Sequence, residues 1–233
     1  MLIHEGTERS DRIDLGLAAS LSMIAGGINA MGFLVAGSFT ANMTGNVALA
    51  AEYIARRDLA LALSFAGLLV CFILGAMTAA LLVGAGQARG RRAIYAQAIL
   101  GEALLLIGLG VVALGWPGAL AETVLVGVLS LVMGFQNAIT TMISRARVRT
   151  THVSGMATDL GIELAAMLGP EQVRRGALPG LWLHGLTLVA FAVGGVLGTA
   201  IFLGLGNWLL PILGAALLAL ALPDIARVHR RRA

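Results

Sequence analysis

The sequence predicts an all-α membrane protein, with six transmembrane helices and two polar, broken or re-entrant segments arranged as two inverted repeats. Composition, the lengths of the apolar runs and the placement of arginine carry this expectation. Of 233 residues, 58% are hydrophobic and 12% charged, with a mean hydropathy of +0.91. A soluble domain carries roughly 25% charge, so a soluble enzyme is excluded. The 16 basic residues are all arginine. They stand in short clusters between apolar runs, which is the pattern of membrane orientation and not of a nucleic-acid surface.

The first fourteen residues mix charges (Glu5, Glu8, Arg9, Asp11, Arg12, Asp14). The apolar stretch behind them is too long for a signal-peptide core and reads as a retained first span. A helix needs about 20 apolar residues to cross a hydrocarbon core of about 30 Å. Runs 15–36, 59–84, 92–114 and 119–143 meet that length once each. Run 178–222 would be roughly 67 Å long as one helix, so it must fold back, at Gly204-Leu205-Gly206-Asn207. Segments 39–56 and 150–168 are apolar but dotted with Thr, Asn, His, Ser and Asp. If both cross, Arg89, Arg91, Arg92, Arg145, Arg147 and Arg149 fall outside. If neither crosses fully, every arginine except Arg56 and Arg57 lies on one side, and the positive-inside rule selects six spans with both termini cytoplasmic. Trp116, Trp208 and Trp182 then fall at interfaces. Ala190, Gly194 and Gly198 form a small-residue packing row. Cys71 reads as a small buried hydrophobe.

An internal repeat is visible. Gly26-Gly27-Ile28-Asn29-Ala30 reads against Gly134-Phe135-Gln136-Asn137-Ala138. Thr40-Ala41-Asn42-Met43-Thr44-Gly45 aligns with Thr150-Thr151-His152-Val153-Ser154-Gly155. The repeats span about 15–114 and 119–222 of a single polytopic domain, with cytoplasmic tails 1–14 and 224–233. Three crossings per half would insert the second half upside down, as in many transporters.

On these residues (the GxxNAxG pattern, FTANMTGN, MGFQNA and VRTTHVSGMATDLG) the chain resembles the YoaK-like family of bacterial inner-membrane proteins. The resemblance covers essentially the whole chain and implies a multi-pass inner-membrane location. That family is loosely described as small-molecule transporters without a settled substrate. His152 and Ser154 stand where the family pattern would have Phe and Thr.

Non-helical backbone at membrane depth must be buried or line a watery cavity. Thr44-Gly45-Asn46 can start a helix at 46–56 with Thr44 as its cap, and Ser154-Gly155 can start one at 156–168. Two half-helix N-termini would then offer N–H donors to a polar or anionic solute. The expected substrate pathway is Asn29, Asn42, Thr44, Gly45, Asn46, Asn137, Thr150, His152, Ser154 and Gly155. The opposing reading is that these side chains only bond neighbouring helices. Glu102, central in its span, is an acid at costly depth and hence a proton-coupling candidate. Asp159 is a second. His152, Asp159 and Glu163 are ligand types at helical spacing, but the wet face of a segment explains the two acids more simply. His184 reads as an interfacial or packing histidine. The run Arg145, Arg147, Arg149 reads as a cytoplasmic anchor at anionic lipid heads.

No Gly-x-Ser-Gly, paired intramembrane acid, Walker or HExxH motif occurs, so no enzyme, cofactor or metal is expected. The expectation is a secondary transporter or facilitator of a small polar, or anionic, solute. Its partners are the bilayer and an unidentified small molecule or ion, without nucleic acid, and its glycine faces would permit a homodimer. The alternatives are a non-transporting assembly subunit and a passive channel.

Overall fold

The computed structural model describes residues 1–3 and 9–230. Glu5, Glu8, Arg231 and Arg232 lie outside the described residues. Among the described residues eight α-helices follow one another: α1 (Asp11–Ala36), α2 (Met43–Ala55), α3 (Leu59–Ala88), α4 (Ile94–Gly115), α5 (Glu122–Ile143), α6 (Val153–Ala166), α7 (Glu171–Leu205) and α8 (Leu209–Arg230). A 3-10 turn at Gly206–Trp208 separates the last two, and no strand occurs among the described residues.

Among the described residues, five helical stretches are long and apolar enough to cross a membrane: α1, α3, α4, α5 and the 60 residues of Glu171–Arg230. Straight, the last would run roughly 90 Å at about 1.5 Å per residue, far beyond a bilayer. It does not run straight. A Cβ built on Gly27 of α1 would touch both the Gly194 carbonyl oxygen at 3.5 Å and the Leu213 side chain at 3.4 Å. In a straight helix those two residues would be roughly 28 Å apart, so the chain reverses between them. The reversal falls within the expected tetrad, at Gly206, whose φ of 56° and ψ of −132° suit only glycine. Large apolar side chains such as Leu63, Leu81, Val196 and Leu203 stand exposed on α3 and α7, as lipid-facing side chains do.

The two ambiguous segments form short helices of 13 and 14 residues, too short to cross a membrane fully. Each starts three residues before the expected position. The caps are Asn42, not Thr44, and His152, not Ser154. The reason for the first shift is local, because Asn42 Oδ1 accepts the Gly45 N–H at 3.2 Å and so takes the capping role. At the other end, α8 remains helical through Arg230 where a tail was expected.

α1 packs on α7 and α3 on α5; α2 lies against α3 and α6 against α7; α4 meets α8 and α1 meets α5. The tightest crossings are made by glycine. A Cβ on Gly26 would collide with the Phe191 carbonyl, and one on Gly194 with the Met23 carbonyl. At the α3–α5 crossing, Gly134 sits on the Phe72 carbonyl and Gly75 on the Leu131 carbonyl. Backbones can approach this closely only where no side chain intervenes. Buried Leu17, Leu21, Ile28, Met31, Ile99, Leu106, Leu129 and Met133 fill the remaining core.

Candidate functional site

A cavity of about 870 Å³ opens where α1, α3, α5 and α7 surround the N-termini of α2 and α6. Its floor is set by two stapled loops. After α1, Gly37 turns left-handed with φ 64°, and its N–H caps the helix on the Phe33 carbonyl at 2.8 Å. Asn29 Oδ1 then accepts the Ala41 N–H at 3.0 Å, folding the loop back over its own helix. Asn46 Nδ2 donates to the Phe39 carbonyl at 3.1 Å. Ser130 Oγ of α5 lies 3.0 Å from the Thr40 carbonyl and 2.9 Å from that of Leu68, so one hydroxyl ties loop, α3 and α5 together.

The loop after α5 is built differently. Arg145 and Ala146 adopt φ of 52° and 65°, an uncommon region for residues with a Cβ. Ser144 holds the strained turn, its Oγ donating to the Thr140 carbonyl at 2.6 Å and accepting the Val148 N–H at 2.9 Å. Arg147 reaches the N-terminus of α1, 2.6 Å from Asp11 and 2.8 Å from the buried Asp14, which Arg9 also contacts. The hydrogen bond to Asp11 raises the Arg147 guanidinium further above its ordinary value, so this cation is permanent. Two residues later the chain enters the cavity with Arg149.

Of the expected pathway residues, the cavity wall includes Asn29, Asn42, Thr44, Gly45, Asn137, His152 and Ser154. Asn46 and Thr150 are buried behind it. Gly155 lies under the His152 ring, against which any Cβ there would clash. Glu102 and Asp159 do not reach the wall. Glu102 is buried between α4 and α5, where Gln136 Nε2 donates to its Oε1 at 3.0 Å. Asp159 is exposed. Glu163 instead meets His184, 3.0 Å away, across α6 and α7, so the expected packing histidine is an ion-pairing one when protonated. No group of three His, Cys, Asp or Glu able to hold a metal occurs among the described residues.

Among the wall residues that sequence reasoning missed are the polar Thr141, Arg149 and Thr151 and the aromatic Phe72 and Phe191. The phenylalanines were legible in principle. Phe72-Ile73-Leu74-Gly75 and Phe191-Ala192-Val193-Gly194 share Phe-x-x-Gly, each on the helix that crosses the repeat motif of the other half. With Phe39, Met43, Val153, Ala48 and Ala157 they make the wall largely apolar around a few polar groups, the usual constitution of a small-molecule site.

The chain matches a family described as protein of unknown function, DUF1275, over residues 17–222. It belongs to that family. This agrees with the YoaK-like resemblance and covers both loops and every helix of the cavity. No curated protein and no solved structure matches the chain. The chain is thus a membrane-like, helical member of DUF1275.

Proposed function

We propose that this DUF1275 protein is a secondary transporter or facilitator of a small polar solute in the bacterial inner membrane. In this reading six helices cross, both termini are cytoplasmic, and α2 and α6 are half-helices meeting from opposite sides. The observation that carries it is the shared cavity. Asn42, Thr44 and Gly45 from one half and His152 and Ser154 from the other line one space, although 110 positions separate the two motifs in the chain. Segments that only packed against neighbouring helices would have no reason to leave a common void.

Packing supports the inverted repeat. Exchange α1–α4 for α5–α8 and each pairing has a counterpart: α1 on α7 becomes α5 on α3, and α2 on α3 becomes α6 on α7. The crossings follow suit, since Gly26 on Phe191 becomes Gly134 on Phe72. Solute sites at the interface of such repeats, near discontinuous helices, are a recurrent transporter design.

The test is uptake of a panel of labelled small polar solutes into proteoliposomes. We expect flux of at least one solute above protein-free vesicles, lost in Asn137→Ala and reduced in Asn42→Ala. If both variants only lower detergent stability while no solute crosses, the protein is an assembly subunit instead. Proton coupling through Glu102 or Asp159 is a separate arm. Flux that is independent of pH and unchanged in Glu102→Gln and Asp159→Asn would remove it.

A further inference from the structure

The two half-helices are docked by different chemistry at the same place in each repeat. α2 and α6 begin at the aligned residues Met43 and Val153, and ten positions further on stand Tyr53 and Glu163. On the helices that receive them, Phe65 precedes Phe72 by seven positions, as His184 precedes Phe191. In the first half Tyr53 stacks on Phe65, with ring centroids 5.7 Å apart and planes 3° from parallel. In the second half His184 Nδ1 lies 3.0 and 3.1 Å from the two carboxylate oxygens of Glu163. The stack has no charge to gain or lose near neutral pH, whereas histidine changes its charge between about pH 5 and 8.

The second contact has a place made for it. Gly180 stands one turn before His184, where the other half has Leu61, and a Cβ on Gly180 would collide with Glu163 Oε1. The carboxylate thus sits in a notch that a glycine leaves open. His184 keeps 20% and Glu163 14% of its side chain exposed, so protons reach the pair.

The other charges around it are engaged or distant. α6 also carries Asp159, exposed one turn before Glu163, and His152 at its N-cap. On α7, Glu171 pairs with Arg175 and Arg174 is exposed, all more than two turns before His184. α1, packed on α7, brings Asp11, Arg12 and Asp14, and both acids pair with Arg147. α8 brings Asp224, paired with Arg227, and the terminal His229 and Arg230. Glu163 is therefore the group that registers a charge on His184.

We infer that Glu163 and His184 form a proton-operated clasp between α6 and α7, tight when His184 is protonated and looser when it is neutral, so that one side of the cavity answers to pH and the other does not. Protonation turns a hydrogen bond from a neutral ring into one between opposite charges, which strengthens it. α6 brings His152 and Ser154 to the cavity wall and α7 brings Phe191, so their docking sets the spacing of that wall. His152 would act with the opposite sign, because a cation at a helix N-terminus is unfavourable. The consequence for solute movement rests on the transport reading, but the docking is measurable without a solute.

The experiment is amide hydrogen exchange of the full-length protein in detergent at about pH 5.5 and 8.5. Exchange is expressed as protection factors, which removes its intrinsic dependence on pH, and α2 serves as internal reference. α6 is expected to be roughly threefold or more better protected at the lower pH, with α2 unchanged. Glu163→Gln and His184→Gln should each abolish that response, and His152→Gln should keep it. The clasp is overturned if α6 responds no more than α2 or loosens on acidification. A response that survives in Glu163→Gln or His184→Gln, or that vanishes in His152→Gln, overturns it as well. Proton-dependent protection of α6 without flux of any solute would leave the clasp standing and remove the transport reading. Flux through a protein whose α6 protection ignores pH would do the reverse.

Discussion

At the scale of single residues, the most exacting environment belongs to Glu102. It is 3% exposed between two helices, and both its Oε2 and the Oε1 of Gln136 have no hydrogen-bond partner. The pair is joined by one hydrogen bond only, from amide to carboxyl. Glu102→Gln keeps a partner for the Gln136 amide, so its melting temperature should stay within about 2 °C of the parent. Glu102→Leu strands that amide in an apolar interface and should cost about 1–3 kcal/mol, read by detergent thermal denaturation. Glu102 was visible in the sequence as an acid at depth, but its partner was not. Gln136 lies inside the repeat motif, yet nothing in a linear pattern tells which neighbouring helix its side chain meets. The place of Arg149 on the cavity wall was hidden for a related reason. Arginine clusters beside apolar runs usually mark the membrane surface, and only the folding of the 144–152 loop puts one of the three, still exposed, at the edge of the cavity. The same loop makes Arg147 and Asp14 interdependent. Asp14 is 1% exposed, and Arg147→Gln removes one of its two cationic partners, so the variant should be destabilised by about 1–2 kcal/mol, discounted for the solvent exposure of Arg147.

At the scale of elements, glycines divide into those that permit a crossing and those that do not. Gly26 and Gly134 press on carbonyl oxygens of the partner helix, whereas a Cβ on Gly84 or Gly101 would meet open space. Gly84→Ala and Gly101→Ala should therefore be neutral or stabilising by up to about 1 kcal/mol, through helix propensity. Gly26→Ala and Gly134→Ala should push helices apart and cost at least about 1–3 kcal/mol as overpacking does, with loss of monodisperse protein on gel filtration. The helices were legible from apolar length, and α2 and α6 from their polar motifs. Their start points were not, because Thr-x-Asn-x-Thr offers several capping residues in succession and the backbone selects among them. The contrast between Gly26 and Gly84 was likewise hidden, since both are glycines in apolar runs and only the partner surface separates them.

At the scale of the whole molecule, topology is the property that composition reached first and packing refines. The reversal at Gly206 divides the 60-residue stretch into α7 and α8, which is what the proposed three crossings per half require. Labelling from outside intact cells should modify a cysteine placed at Arg57 and spare one placed at Arg91, in a background lacking Cys71. Modification of both would bring back eight crossings and a parallel repeat.

The glycine crossings have one more consequence, and it is mechanical. Helices locked by interleaved side chains resist relative rotation because rotamers must change as ridges leave their grooves. Gly26 against Phe191 and Gly134 against Phe72 meet backbone to backbone, with few such teeth, and so serve as bearings. Each bearing carries a phenylalanine that also walls the cavity, so a few degrees of swing in α3 or α7 changes the width of the space they enclose. Spin labels on the outward-facing Leu81 and Leu203 should accordingly give a broad distance distribution. A single sharp distance would mean that the bearings are rigid welds.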